Sequence, residues 1–393
     1  MIGLAMLLVL QSPSAVHVEI DSPNETVFCI DAPLPRLGSR DRELLAVALD
    51  ALSKGSQIYT PGKIQTITEG RGVRTELLDD QALVTIVVPP SRAIAGADLI
   101  ASLVREPSFI QEDLDASLAR LNDRSKDYWG AAMHPPEFRL KQAPHDDVQS
   151  AFDRAFRPDR IAMTFGGAGD AAAIRSEWKT RVEGWSPARE PRYPDYDLIA
   201  PLDKNPDVLT TAVLQGETIP AKDPATPARL LGLYALGSGK GSSLFRVCRQ
   251  RHAWSYRQEA YLWSVGQGWE PRLFVAMIPT PEAESRMQTL RKELLADVDA
   301  WTEDDRSRAL GVAESTLLRG LPYGPLLLGD APPDLTPESR IEMAAFWQVK
   351  TGTPWDPQAL YQSMSSVSLA DMKAAAHAIL DAAKITIIPP KGA

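Results

Sequence analysis

Histidine and cysteine, the residues that most often build catalytic and metal centres, are scarce in this chain of 393 residues. The five histidines are His17, His134, His145, His252 and His377, and no two lie within one helical turn of each other. Two His one turn apart are the usual start of a helical zinc site, so local spacing offers no metal centre. The two cysteines, Cys29 and Cys248, are too few and too far apart for a disulfide framework or a thiolate zinc motif, and read as small buried hydrophobes. Surplus basic charge is missing too. With 42 Lys and Arg against 51 Asp and Glu the net charge is -9, which argues against nucleic acid or anionic membrane as a partner. Long apolar runs are absent: the run from Ile2 to Leu10 is too short to span a bilayer. It fits the apolar core of a signal peptide cleaved after Ala15, although no Lys or Arg precedes it. The expectation is an exported chain, periplasmic or extracellular, with a cytoplasmic location as the alternative.

Several catalytic signatures are missing at the places where they come nearest. Gly237-Ser238-Gly239-Lys240-Gly241-Ser242 looks like a phosphate loop, but Lys240 is followed by Gly and Tyr234 occupies the place of the first glycine. Its structural reading is a flexible turn that ends a helix. Gly166-Gly167-Ala168-Gly169-Asp170 lies between a strand and a helix but lacks the dinucleotide spacing. Asp170 as a helix N-cap explains it. No Gly-x-Ser-x-Gly elbow occurs, and neither cysteine has a nucleophile context. His145-Asp146-Asp147 reads as a polar loop cluster and His377 as a structural or exposed residue of an alanine-rich helix.

What is present is an order of elements that occurs twice. A helical stretch Arg42 to Leu52 ends in Ser53-Lys54-Gly55-Ser56; its counterpart, Ala228 to Leu236, ends in the glycine-rich turn. The strand Ala82 to Val88 stops at Pro89-Pro90 before a helix from Ala93 to Arg105. Likewise Leu273 to Ile278 stops at Pro279-Thr280-Pro281 before a helix from Glu282 to Trp301. Each half closes with a helix and a strand: Val148 to Phe156 with Arg160 to Phe165, and Leu369 to Ala382 with Lys384 to Ile388. Proline stops after strands and glycine after helices are the expected punctuation. The proline-rich, charged stretch from Ser186 to Pro206 can form neither a helix nor a central strand, and reads as a linker. Elements that do not alternate strictly favour α+β layers.

The stretch Ser242 to Tyr256 is the most informative. It reads as an amphipathic helix of roughly three turns, a short break, and a strand beginning near Tyr256. Arg249 carries a fixed fork of donors, and Tyr256, seven residues later, a phenolic donor. If the helix ends near His252 and the chain turns back, the two could converge on one carbonyl oxygen. The bland reading is a surface helix with an ordinary Arg and a half-buried Tyr. This stretch resembles the second-domain signature of the insulinase (pitrilysin) metallopeptidase family, which includes the mitochondrial processing peptidase. There a small-residue turn and Ser-x-Leu-Phe precede Leu-Arg-Glu, with a Tyr seven residues after the Arg. Here Cys248, Arg249 and Gln250 stand for Leu-Arg-Glu, and His252 replaces a usual Gly. The order of elements from about residue 25 to the end resembles a family half-molecule, with local echoes at Glu106-Pro107-Ser108-Phe109 and Phe156-Arg157-Pro158-Asp159-Arg160-Ile161.

The resemblance implies an α+β fold of two homologous domains, each a mixed, largely antiparallel sheet with helices packed on one face. It divides the chain into a candidate signal peptide over 1–15, an N-terminal domain over 16–185, a linker over 186–206 and a C-terminal domain over 207–393. Peptide-cleaving members carry His-x-x-Glu-His on the first helix of domain one. Anchored on Lys54-Gly55-Ser56, those functional positions fall on Ala46, Leu49 and Asp50, and the distal ligand falls near Lys126-Asp127. The expectation is therefore no catalytic residue and no metal ligand in this chain, and no cofactor of its own. Zinc is expected in a partner subunit, a homologue that retains the motif, with Arg249 and Tyr256 contributing to peptide binding in a shared chamber. The alternative is a metal-free scaffold or peptide-binding protein with no proteolytic role.

Overall fold

The computed structural model describes residues 14–34, 37–78, 80–124, 140–186, 209–265, 268–319 and 336–389. These group into two compact units: one within Met1–Leu77, Gln81–Leu118 and Leu140–Pro194, the other within Leu78–Asp80, Ala119–Arg139 and Asp195–Ala393. Beyond Ser186, the expected linker lies outside the described residues.

The first unit is built on five strands: β1 (Ser14–Val18), β2 (Thr26–Pro33), β3 (Val73–Leu77), β4 (Gln81–Val88) and β5 (Ala162–Gly167). They lie in the order β1-β5-β2-β4-β3. Only β1 runs parallel to its neighbour β5; the other pairings are antiparallel. Because β1 begins at Ser14, cleavage after Ala15 would leave Val16, His17 and Val18 of that strand. The apolar, β-branched runs Thr26 to Ile30 and Ala82 to Val88 occupy the middle of the sheet, where β4 is buried along its whole length. This unit holds the helices α1 (Ser39–Ala51), α2 (Pro61–Ile67), α3 (Ala93–Arg105), α5 (His145–Ala155) and α6 (Ala171–Val182), and α4 (Gln111–Arg124) begins in it. α1 packs on α5, and α3 on α6 and on strands β2 and β4. Gly96 permits the last contact, since a Cβ there would come within 2.8 Å of the Phe28 ring. Asp170 caps α6, accepting from the Ala172 and Ala173 amides at 2.9 and 3.1 Å.

The second unit repeats this plan with β6 (Thr210–Gln215), β7 (Ile219–Pro220), β8 (Ser255–Val265), β9 (Gly268–Met277) and β10 (Lys384–Ile388). β10, β6 and β9 lie side by side, β8 pairs along β9, and every pairing is antiparallel. The order β10-β6-β9-β8 here therefore corresponds to β5-β2-β4-β3 in the first unit. Around it lie α7 (Thr226–Gly237), α8 (Ala283–Asp299), α9 (Glu303–Arg319), α10 (Pro337–Thr351), α11 (Pro357–Ser365) and α12 (Leu369–Asp381). α7 is apolar on every side, from Leu230 to Leu236, and is buried accordingly among α9, α11, α12 and β8. Each fully buried leucine of that helix contributes about 1.5–3 kcal/mol of transfer free energy. Among the described residues no helix is long and apolar enough to cross a membrane.

The last residue of α7 lies against β8 so closely that only glycine fits. A Cβ on Gly237 would sit 2.3 Å from the Ala260 Cβ and 2.5 Å from its backbone nitrogen. Gly311, inside α9, has nothing within 4 Å of such a Cβ. The two alanine substitutions should therefore have opposite signs. Gly237→Ala should destabilise by about 3 kcal/mol, because backbone must move. Gly311→Ala should stabilise by roughly 0.5–1 kcal/mol through helix propensity. Urea unfolding of both variants checks this; equal effects would remove the packing argument.

Candidate functional site

In α1, where the sequence resemblance places a zinc motif, the three corresponding residues offer one possible ligand atom set, that of Asp50. α1 turns Leu44, Leu45, Val47, Ala48 and Leu49 into the core. Leu49, at the place of the catalytic Glu, is 3% exposed and has no proton-transfer atom. Ala46 has no donor either, leaving Asp50 as the one carboxylate of the three. These residues do not fit a zinc ion. Lys126 and Asp127 lie outside the described residues. Among the described residues, no group of three or more His, Cys, Asp and Glu is placed to hold a metal. Instead His145 lies 2.9 Å from Asp146, His377 2.8 Å from Asp299, and His252 3.0 Å from Glu293. The His145 cluster opens α5 instead of lying in a loop, with two acidic residues placed favourably at the positive end of the helix dipole.

In the second unit the glycine-rich turn after α7 leads into a wound segment that widens to a π-helix over Phe245–Arg251. The sequence expectation of an ordinary helix here is corrected by its last bonds. The His252 amide donates to Val247 O at 3.2 Å and the Trp254 amide to Cys248 O at 2.8 Å, both longer in sequence than an α-helical bond. The chain then reverses through Ala253, whose φ of 52° is left-handed, and β8 starts at Ser255. The position that would suit glycine is thus Ala253, one residue beyond His252.

This reversal brings Arg249 and Tyr256 together. The Arg249 guanidinium carbon lies 4.7 Å from the centre of the Tyr256 ring and 5.5 Å from that of Phe245. The pair therefore meets as a cation over a ring face. Tyr256 is 79% exposed, against the half-burial of the bland expectation, and Arg249 is exposed as well. A guanidinium over a ring keeps in-plane N–H donors that a ring face does not consume. Beside them, Arg251 binds Glu293 at 2.7 Å. His252 bonds the same carboxylate while stacking on Trp254, ring centres 4.0 Å apart and planes within 9°. Desolvation raises the Glu293 carboxyl, but the hydrogen bonds from Arg251 and His252 outweigh it and hold the group below its ordinary range. Burial pushes the Cys248 thiol up to about 12, with Glu293 adding to the shift, so that cysteine is no nucleophile.

Arg246 anchors the segment, and sequence reading gave it no role. One nitrogen donates to Gly241 O at 2.6 Å and to Asp305 at 3.2 Å. The other donates to Asp297 at 2.6 Å and to Ser243 Oγ at 3.3 Å. Trp301 Nε1 donates to the same hydroxyl at 3.0 Å. Asp297 and Asp305 belong to two different helices far along the chain, so no local spacing marks them as its partners.

Compared as sequence, the chain matches no protein-family model and no curated protein. Compared as structure, it is similar to a protease from Helicobacter pylori, with a TM-score of 0.71, 12% identity, and 97% of this chain and 99% of that one covered. It is similar also to a peptidase M16 inactive domain from Pseudomonas fluorescens, with a TM-score of 0.69, 14% identity and 98% of each chain covered. The fold is that of the M16 peptidases. A third similar structure is the periplasmic protease PqqL from Escherichia coli, with a TM-score of 0.67 and 12% identity, where 94% of this chain covers 43% of the other. The two-domain α+β architecture with largely antiparallel sheets is thus the M16 one, the insulinase-type fold named by the sequence resemblance.

Two measurements test the local reading of this segment. A non-glycine residue in the left-handed region is strained, so Ala253→Gly should raise stability by about 0.5–1 kcal/mol in urea unfolding. A loss of stability would mean the turn is held differently. For acid, desolvation raises the Asp297 carboxyl, but Arg246 and Ser243 outweigh it and hold the group below its ordinary value. A depressed carboxylate contributes stability above its unfolded pKa, and that contribution is lost as pH falls through the folded one. Stability should therefore drop as pH falls below the ordinary Asp value of 3.8, and Asp297→Asn should flatten that drop. An identical acid profile in the variant would remove Asp297 from the account.

Proposed function

We propose that this chain is a non-catalytic insulinase-type subunit that works beside a zinc-bearing homologue and helps to hold a peptide. The observation that carries the reading is a division within one M16-type fold. Ala46 and Leu49 stand where a ligand and a base belong, while Arg249 and Tyr256 are brought together on an anchored reversal. Retained donors without a metal suit a role in binding, with the chemistry supplied by another chain. PqqL, one of the similar structures, is periplasmic, which supports the exported location expected from the N-terminal apolar run.

Within such a complex, the in-plane donors of Arg249 would take a peptide carbonyl or the oxyanion that develops from it. Tyr256, its ring under the guanidinium, would keep the Arg side chain from folding away and offer its hydroxyl to the same backbone. A donor preorganised toward a developing charge is typically worth on the order of 10²-fold in rate. The role is positional and electrostatic; no proton need leave either residue.

Two results are expected. Alone, the purified chain should bind no stoichiometric zinc and cleave no peptide; elemental analysis showing one tightly bound zinc per chain, with chelator-sensitive activity, would reject the reading. Mixed with a homologue that carries His-x-x-Glu-His, it should form a complex that cleaves peptides. Arg249→Ala with Tyr256→Phe should then slow turnover on the order of 10²-fold without dissociating the complex. Undiminished turnover in an intact complex would favour the metal-free scaffold instead.

A further inference from the structure

The stretch from Ser242 to Tyr256 carries Arg246, Arg249, Arg251 and His252 and no Asp or Glu of its own. Acidic partners reach it from the helices that follow: Asp297 and Asp305 for Arg246, and Glu293 for both Arg251 and His252. Arg257, just beyond, lies 3.7 Å from Glu259, and Arg286 of α8 lies 3.1 Å from Glu282. Arg249 differs from all of these. Among the described residues its guanidinium meets the rings of Tyr256 and Phe245, at 4.7 and 5.5 Å, and no carboxylate or carbonyl. Its exposed neighbour Gln250 is a neutral amide where the resembling motif has Glu, so no compensating charge comes from there.

An exposed arginine is ordinarily a mobile, solvated charge. Here two rings restrict it, so part of the entropy that a ligand must otherwise remove is already gone. A guanidinium held in this way keeps its in-plane fork of donors. A neutral carbonyl accepts one of those N–H groups and leaves the charge uncompensated. A carboxylate accepts two in parallel and neutralises it. Apolar surface adjoins the charge: Tyr256 and Ile278, 79% and 73% exposed, each follow directly on Ser255 and Met277, which pair across β8 and β9. The Tyr256 hydroxyl, also without a partner among the described residues, adds a further donor.

We propose that Arg249 takes a carboxylate of the bound peptide, with an apolar residue of that peptide beside it against Tyr256 and Ile278. The proposal rests on the reading of Arg249 and Tyr256 as a peptide-holding pair and names the group that they hold. A peptide offers such a group at its C-terminus or on an Asp or Glu side chain, and both present the same chemistry to the fork.

Isothermal titration of the full chain decides the matter with two matched pairs of peptides. Acetyl-Ala-Ala-Leu with a free C-terminus is set against its C-terminal amide, and acetyl-Ala-Glu-Leu-amide against acetyl-Ala-Gln-Leu-amide. Each pair differs by one carboxylate and keeps the shape. At least one carboxylate peptide should bind saturably, one per chain, about tenfold or more tightly than its neutral match, the scale of one charge-assisted hydrogen bond. Preference in the first pair alone identifies the C-terminus as the source, in the second alone an acidic side chain, and in both any peptide carboxylate. Arg249→Lys keeps the charge but removes the fork and the planar stack. It should weaken the preferred peptide by about tenfold and its neutral match less. Equal affinity within both pairs, or no saturable binding of a carboxylate peptide, overturns the proposal without any variant having to fold. If that equal affinity is lost in Arg249→Ala, the pair still holds peptide and only the carboxylate preference falls. Binding indifferent to Arg249→Ala removes both.

Discussion

The guanidinium of Arg246 holds together everything that makes the second unit's site. Its two terminal nitrogens reach the glycine-rich turn at Gly241, the start of the wound segment at Ser243, α8 at Asp297 and α9 at Asp305. Arg308, also from α9, lies beneath the same turn and donates to Ala235 O and Ser238 O, the carbonyls left open at the end of α7. The Arg308 guanidinium is pushed below its ordinary value by desolvation and then by the charge of Arg246. Two like charges at one turn are tolerable because two carboxylates meet them. Breaking one half of such a partly buried network leaves the other half uncompensated, which costs more than the bond itself was worth. The anchorage is therefore cooperative, and the segment it fixes is the one carrying Arg249.

Positioning continues through backbone geometry. A π-turn adds a residue per turn relative to an α-helix, so side chains on the following residues rotate to new directions. Here that widening, followed by the left-handed Ala253, folds the chain back within a few residues. A regular helix running on past His252 would carry Tyr256 away along its axis at 1.5 Å per residue. Wide turns of this kind recur at functional sites because they store a conformation that ordinary helical bonding would not select. The stacking of His252 on Trp254, with Glu293 bound to both Arg251 and His252, closes the reversal from the outside. Side-chain bonds and rings hold a turn that backbone preference alone would oppose.

These facts mark the limit of what the residues disclose by themselves. The central strands and long helices were legible because period and punctuation agree: Pro89 and Pro90 end β4, α3 begins where the pattern shifts, and Asp170 caps α6. The start of β8 was legible near Tyr256, whereas β3 was not, because an edge strand carrying charges such as Arg74 and Glu76 blurs the alternation. Arg249 and Tyr256 could be picked out by spacing, whereas their mode of contact could not. The cation-over-ring contact forms across the reversal, and the segment before it is bonded through Arg246 to Asp297 and Asp305, dozens of residues away.

The strand order of the first unit recurs in the second. In both units the first core strand leads to a helix, a glycine-containing turn, a short wound segment and a hairpin of two strands: β2, α1, Gly55, α2, β3 and β4 in one, β6, α7, Gly237, the π-helix, β8 and β9 in the other. In the first unit the helix of this repeat buries Leu49 with Leu45 and Ala48, while Ala46 and Asp50 stay half-buried. A Glu placed at Leu49 would exchange a core contact for a carboxylate that burial penalises. In the second unit α7 is apolar from Leu230 to Leu236, and the charged residues lie one element later, on the reversal after the glycine-rich turn. The same scaffold thus permits two outcomes at equivalent stages of the repeat: a helix that has become core, and a turn kept rigid by charge. The Arg246 network draws on the second unit's own helices, so the packing of α1 does not enter into it.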